Sequence, residues 1–239
     1  KGQLREEGHL NLDELSNEAW RTYFRFTQQE VERLVVVLQI PHPIKGRNRI
    51  LQDARTGLCM LLARLAYPNR LSDLALKFGW RVERVSEITN TLLDFMVYKW
   101  KFLLDFNHHF FTPERLSAYA KAIHDKNQCP LSTCWGFIDG TIRQIARLLH
   151  YQRTCYNGWK RKHCLKYHAV VAPDGLIAHL FGPVEGRRND AHLWQESGIQ
   201  RYLEQYSHTT NDIPLQIYGD PAYGISRHLL SPYQGASLT

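Results

Sequence analysis

The chain has 239 residues, of which 44% are hydrophobic and 12% aromatic, a composition that supports a substantial folded core. The formal net charge is +7 and the isoelectric point is near 9.2, which favours polyanionic partners. Five cysteines without a CxxC pair argue against a disulfide scaffold and indicate a reducing compartment. No apolar run approaches the roughly 20 residues that a membrane-spanning helix needs.

The first half of the chain has the hydrophobic spacing of amphipathic helices. Thr27 and Glu30 match a capping box, and apolar residues follow them at the i, i+3, i+4 and i+7 positions of one helix. Further helices are predicted to end before Pro68, to end at Gly79 and to begin at Thr112-Pro113. We therefore expect a helical N-terminal region.

The helices on either side of Gly79 have helix-turn-helix proportions, because a short helix and a tight turn precede a longer helix. In that arrangement the second helix would present polar side chains to a DNA groove, namely Arg81, Arg84, Ser86, Thr89 and Asn90. An ordinary pair of antiparallel helices has the same spacing, and Glu83 and Glu87 on this helix repel phosphate. Both interpretations stay open, with Arg81 and Arg84 as the candidate DNA contacts.

The second half changes to the short apolar runs that are typical of β-strands. Residues 135–138, 165–171 and 176–181 form a predicted meander with a tight turn at Pro173-Asp174-Gly175. A helical stretch from Asn189 to about Tyr206 and a fourth strand at 215–218 follow. This connection is long enough to return the fourth strand parallel to the first. We therefore predict an α+β or α/β fold with a mixed sheet.

Two aspartates are predicted to follow directly on the two paired strands. Asp139 comes after the apolar run 134–138 and Asp220 after the run 213–219, each beside a glycine. On neighbouring parallel strands they would lie side by side at the carboxyl edge, where open α/β sheets bind ligands. Their oxygens suit Mg²⁺ or Mn²⁺, and a pair of such ions can activate a water for phosphodiester cleavage. The alternative is that each aspartate only caps a turn.

A one-sided run of positive charge follows Asp139. Between Gly140 and Pro173 there is no Asp or Glu, whereas seven Lys or Arg residues are present, namely Arg143, Arg147, Arg153, Lys160, Arg161, Lys162 and Lys166. A solvated surface is the usual role of a charged run. Beside two candidate metal ligands, the run instead predicts a track for the phosphates of DNA.

Five stretches carry a resemblance to a known family. They are Leu74-Ala-Leu-Lys-Phe-Gly79 with Val85-Ser-Glu-Ile88, Gly136-Phe-Ile-Asp-Gly-Thr141, Val171-Ala-Pro-Asp-Gly175, Gly186-Arg-Arg-Asn-Asp-Ala191 and Tyr218-Gly-Asp-Pro-Ala-Tyr-Gly224. In this order they resemble the Harbinger-type DDE transposases and their domesticated nuclease relatives, from about residue 20 to the end of the chain.

The resemblance implies a helical, helix-turn-helix-containing DNA-binding region at 1–128 and a ribonuclease H-like nuclease domain at 129–239. It implies metal-dependent cleavage and strand transfer of DNA, with Asp139 and Asp220 as the first two catalytic aspartates. Asp190 is a further carboxylate with a supporting role or, alternatively, the N-cap or a first-turn residue of the helix that it opens. A Myb-like partner protein and a nuclear location are also implied.

The third catalytic acid of this family, a glutamate on a later helix, has no counterpart here, because no Asp or Glu follows Asp220. We therefore expect the nuclease domain to be incomplete at its C-terminal end and the chain to have little activity by itself. A domesticated DNA-binding protein without catalysis is the first alternative, and an RNA-processing enzyme of ribonuclease H-like fold is the second.

Four aromatic residues near these motifs have two interpretations each. Tyr223 and Trp159 could stack on an extruded base, although core packing is the expected role of both. His168 and His192 lie on apolar elements, so we expect them to be hydrogen-bonded core residues rather than general bases. A metal-bound water requires no histidine base.

Overall fold

The computed structural model describes residues 9–47, 49–127 and 129–232. The chain divides into two compact units between Trp100 and Lys101. This division comes earlier than the boundary at residue 128 expected from the sequence, because the helix Pro113–Asn127 packs against the central strand of the second unit. Among the residues described, no helix is both long enough and apolar enough to cross a membrane.

The first unit consists of helices around one apolar core, as predicted. Its elements are α1 (Asn17–Phe24), α2 (Gln28–Val37), β1 (Ile44–Lys45), β2 (Leu51–Gln52), α3 (Ala54–Ala66), α4 (Leu71–Phe78) and α5 (Val82–Trp100), with β1 and β2 antiparallel. The capping box of Thr27 and Glu30 starts α2. Gly79 ends α4 at a φ of 68°. Glycine adopts this left-handed conformation without a steric clash because it has no Cβ. The helical assignment of the first half is thereby confirmed.

The polar face predicted for α5 is only partly present. Thr89 is fully buried and donates its hydroxyl to the carbonyl of Val85, and the guanidinium of Arg64 donates to both Thr89 and Asn90. The prediction that Thr89 faces a DNA groove is wrong, because Thr89 lies on the same helical face as buried Val85 and Leu92.

The second unit is an α/β arrangement around one mixed sheet. Its elements are α6 (Pro113–Asn127), β3 (Cys134–Gln144), α7 (Gln152–Cys155), β4 (Tyr156–Asn157), β5 (Lys162–Val171), β6 (Ile177–Glu185), α8 (Asp190–Ser197), α9 (Ile199–Tyr206), β7 (Gln216–Gly219) and β8 (Leu229–Leu230). Central β3 pairs antiparallel with β5 and parallel with β7, and β8 extends the sheet beyond β7. β5 also pairs antiparallel with β4 and β6. The predicted meander and parallel return strand are confirmed.

Two boundaries differ from the sequence prediction. β3 continues through Asp139 to Gln144, so Asp139 lies inside the strand and not just past its end. The reason is that residues 141–144, three of which are polar, still pair with β5, so backbone hydrogen bonds extend the strand beyond its apolar run. The helical stretch expected over 189–206 is two helices, because Gly198 adopts a φ of 68° between them.

A buried hydrogen-bond relay joins β3 to the segment before β7. The indole of Trp135 donates to the hydroxyl of Ser207 at 2.9 Å, and Ser207 donates to the carbonyl of Leu215 at 2.9 Å. Trp135 and Ser207 are fully buried. A buried donor that lacks an acceptor has lost its hydrogen bond to water without gaining another, which costs free energy. The hydrogen bonds of this relay therefore favour the observed positions of β3 and β7.

We predict that Ser207→Ala destabilises the second unit by about 1–3 kcal/mol, because the indole N–H of Trp135 loses its acceptor. Amide hydrogen exchange of β3 in the full chain measures this change. Ser117→Ala, at a hydroxyl that bonds only to its own helix, is the matched control and should leave exchange unchanged. Unaltered protection of β3 in Ser207→Ala would contradict the prediction.

Candidate functional site

The parallel register of β3 and β7 brings Asp139 and Asp220 next to each other. The last register pair is Ile138 with Gly219, and the two aspartates are the next residues in the chain. Neighbouring strands lie about 4.8 Å apart. A Cβ at Gly219 would come within 2.6 Å of Ile138 Cγ2, so glycine is required for this close approach. Both aspartates are exposed at the same edge of the sheet.

Backbone N–H groups orient both carboxylates. Asp139 Oδ1 accepts the N–H of Gly140 at 2.7 Å, and Asp220 Oδ1 accepts the N–H of Ala222 at 2.8 Å. The second bond caps the short 3₁₀ helix Pro221–Tyr223, so the turn-capping role weighed for Asp220 is present. A carboxylate has about four acceptor sites, so capping leaves both residues the capacity to bind a cation.

Asp190 is a third carboxylate at the same place. It is the first residue of α8, while Asn189 is the N-cap and accepts the N–H of His192 at 2.9 Å. The ammonium of Lys166 donates to Asp190 Oδ1 at 2.7 Å and to the carbonyl of Arg188 at 3.0 Å. Lys166 is only 8% exposed, and its ammonium is paired with Asp190 inside the protein. It therefore differs from the exposed DNA-phosphate contact that the sequence predicts.

The buried Tyr223 lies close enough to all three carboxylates for their charges to act on its hydroxyl. Burial raises the pKa of Tyr223, and the charges of Asp190, Asp139 and Asp220 raise it further. A Cβ built at Gly140 would lie 3.0 Å from Asp190 Oδ1 and 3.1 Å from the Tyr223 hydroxyl, which shows how closely these groups converge. The core role expected for Tyr223 is confirmed, since the residue is 5% exposed.

Two neutral histidines lie under this cluster. His168 and His179 are fully buried, their rings are 5.5 Å apart, and the ring of His168 is 6.0 Å from that of Tyr223. Burial lowers the pKa of both to about 4. Neither imidazole has a hydrogen-bond partner among the described residues, so the expectation that His168 is hydrogen-bonded is wrong. His192 is half-buried instead and contacts Glu196 at 2.9 Å.

The three aspartates line one cleft of about 520 Å³. The same cleft is also lined by positive and aromatic residues, namely Lys160, Arg187, Arg188 and Trp159. The sequence prediction does not include Arg187 and Arg188, because both lie beyond the carboxylate-free stretch that ends at Pro173. The signal was nevertheless present in the stretch Gly186–Ala191, where two arginines precede Asp190 by a few residues.

The predicted DNA-binding cations fall into two groups. Six of them are exposed in the second unit, namely Arg143, Arg147, Arg153, Lys160, Arg161 and Lys162. In the first unit Arg81 is exposed, but Arg84 donates to the carbonyl of Leu51 and lies 3.9 Å from the ring of Trp80. Burial lowers the pKa of Arg84, and its contacts are those of a structural residue.

The carboxylates fit a divalent cation with few protein ligands. Across residues 9–47, 49–127 and 129–232, no group of three or more His, Cys, Asp and Glu side chains is arranged to hold a metal ion. Mg²⁺ commonly keeps several waters and binds proteins through one or two carboxylates together with substrate phosphates. Asp139 and Asp220, fixed side by side with oxygen donors toward a cleft, meet that requirement.

Residues 138–239 match the family model described as DDE superfamily endonuclease. No curated protein and no solved structure matches the chain. The matched region begins one residue before Asp139 and includes Asp190, Asp220 and the basic residues of the cleft. The part of the chain that carries the candidate site is therefore similar to the DDE superfamily endonucleases.

Proposed function

We propose that this chain is a metal-dependent DNA endonuclease of the transposase type, in which Asp139 and Asp220 hold a divalent cation against a DNA phosphate. The observation that carries the proposal is the β3–β7 register, which fixes these two carboxylates side by side at one cleft. The similarity of residues 138–239 to DDE superfamily endonucleases supports the same reaction class.

Each side chain of the cleft has a separate role in this proposal. Asp139 and Asp220 are the ligands of Mg²⁺ or Mn²⁺, and Asp190 supports them while Lys166 neutralises its charge. Bound there, the cation would lower the pKa of a water and neutralise charge on the phosphate. Lys160, Arg187 and Arg188 bind neighbouring phosphates of the strand.

Tyr223 is a neutral donor near the carboxylates, and its hydroxyl has no hydrogen-bond partner among the described residues. Because its pKa is raised, the phenol stays protonated, and a protonated phenol can donate a hydrogen bond to whichever carboxylate is nearest. The histidines beneath it stay neutral above about pH 4, so they add no positive charge that would compete with a cation for the aspartates.

We further propose the finer identity that the sequence motifs support. This is a Harbinger-type protein with a ribonuclease H-like catalytic fold, a helix-turn-helix in the first unit, strand transfer at transposon ends, a Myb-like partner protein and a nuclear location. Its warrant is the resemblance of the five stretches, two of which contain Asp139 and Asp220.

A second candidate function is DNA binding without cleavage. Two observations favour it: Lys166 already occupies Asp190, and the described residues contain no group of three acidic or other ligand side chains around a metal position. The two candidate functions share the DNA partner and differ only in whether Asp139 supports phosphodiester hydrolysis.

The cleavage assay separates the two functions. We expect slow nicking of supercoiled DNA in Mg²⁺ or Mn²⁺, because only two carboxylates position the cation. Asp139→Asn or Asp220→Asn should reduce the rate on the order of 10²-fold or more, since the isosteric amide carries no charge to bind the ion. Asp212→Asn is the matched control, because Asp212 is exposed at a φ of 60°, which asparagine tolerates.

DNA binding without any nicking that depends on Asp139 would exclude the nuclease proposal and favour the non-catalytic function. Robust nicking would show instead that a third acid is dispensable or that Asp190 supplies it.

Metal binding provides a second test that does not depend on turnover. Calorimetric titration with Mn²⁺ should show affinity losses on the order of tenfold or more in Asp139→Asn and in Asp220→Asn. Asp190→Asn should lose less, because Lys166 already neutralises that carboxylate. An Asp190→Asn variant that loses as much as Asp139→Asn would make Asp190 a direct ligand.

The exposed cations of the second unit should dominate non-specific DNA affinity. We compare the slopes of log affinity against log salt concentration. Replacing Lys160, Arg161 and Lys162 by glutamine should reduce the magnitude of this slope by up to about three, because each phosphate contact releases close to one counterion. Replacing Arg81 and Arg84 should change it less, since Arg84 bonds within its own unit. Binding to a random-sequence duplex at several salt concentrations decides the ranking, and a larger effect of Arg81 and Arg84 would assign the DNA face to the first unit.

A further inference from the structure

Trp159 is exposed at the edge of the cleft that contains the aspartates. Its side chain is 88% exposed, although tryptophan is on average one of the more buried residues. The core role expected for it from the sequence is therefore wrong. An indole open to water at a cleft wall is an apolar surface without a partner among the described residues of its unit, and such surfaces commonly mark binding sites.

The loop that carries Trp159 is held at both ends. It connects β4 to β5, whose register pairs Tyr156 with His163 and Asn157 with Lys162. The carboxamide of Asn157 accepts the N–H of Lys160 at 2.8 Å and donates to the carbonyl of Gly186 at 2.8 Å. These bonds close the loop on itself and attach it to the segment that precedes Asp190. The indole is thus presented by an anchored turn.

The charges around Trp159 suit a nucleic acid strand. Lys160 follows it directly, and Arg187 and Arg188 line the same cleft. Asp139 and Asp220 also line this cleft, and the proposed cation would bind the phosphate to be cleaved there. A strand in this cleft would have phosphates beside the cations and a base beside the indole, which is the combination that proteins use for single-stranded nucleic acids.

From this arrangement we infer that Trp159 is a stacking platform for an unpaired nucleobase next to the cleavage position, so that the substrate is DNA with a locally opened strand. This inference rests on the proposed function and adds the substrate class to it. In a paired duplex both faces of each base are covered by its neighbours, so an indole can stack only on a base that has left the stack. A cleft of about 520 Å³ is the size of a small-ligand pocket and accommodates a nucleotide.

The test compares two duplexes that carry the same number of phosphates. One is fully paired, and the other has a central mismatched segment of three nucleotides with 2-aminopurine in the middle. Binding is measured in EDTA, so that neither cleavage nor a metal ion contributes. We expect tighter binding of the mismatched duplex, with quenching of the 2-aminopurine fluorescence by stacking.

Trp159→Ala should weaken binding of the mismatched duplex roughly 5- to 150-fold, the range that one stacked base supplies, and should abolish the quenching. The affinity of Trp159→Ala for the paired duplex should fall by less than about twofold. Trp159→Phe should retain most of the preference, because a smaller aromatic ring still stacks. Tyr98→Ala, which removes an aromatic side chain that is also 88% exposed, is the matched control and should change neither affinity.

Equal losses on both duplexes would overturn the inference and make Trp159 a general DNA contact. No loss on either would overturn it as well, and would point to a protein partner for the exposed indole. This test and the cleavage assay can fail separately. A Trp159-dependent preference for the mismatched duplex without any nicking would support the stacking site and exclude the nuclease. Nicking that depends on Asp139 without this preference would support the nuclease and exclude the stacking site.

Discussion

The parallel pairing of β3 with β7 is the constraint on which the candidate site depends. These strands are distant in sequence, and only their register brings Asp139 beside Asp220. Two features of the second unit maintain this register. Gly219 allows the close approach to Ile138, and Trp135 is hydrogen-bonded through Ser207 to the segment before β7. A slip of one residue would reverse the side of the sheet on which each side chain points, so the pairing of the two carboxylates would be lost.

The polar groups buried below the aspartates would weaken an ordinary protein core. Tyr223, His168 and His179 place polar atoms in the interior without hydrogen-bond partners among the residues described, and Lys166 places an ammonium there. Each unpaired group costs free energy on folding. Natural proteins tolerate such costs mainly at functional sites, and here they occur together directly under three carboxylates. The position of these groups therefore supports the site independently of the sequence motifs.

Much of the fold follows from local patterns in the sequence. The capping box at Thr27, the glycine stop at Gly79 and the turn at Pro173-Asp174-Gly175 depend on neighbouring residues, and all three occur as predicted. The extension of β3 beyond Asp139 could not be predicted in this way, because its polar residues are strand only through pairing with β5. The burial of Lys166 and the exposure of Trp159 likewise depend on tertiary contacts, which a charge run or an aromatic residue in sequence does not reveal.

The charge balance of the cleft bears on how many cations it can hold. Asp139, Asp190 and Asp220 contribute three negative charges, and the ion pair with Lys166 cancels one of them. The remaining two match a single divalent cation without help from the substrate. A second cation beside the first would be repelled unless further negative charge came with it. In the described part of the chain the rest of the cleft is lined by neutral residues and by four cations, so that charge would have to come from the DNA phosphate itself. Binding of a second cation would then be coupled to binding of DNA.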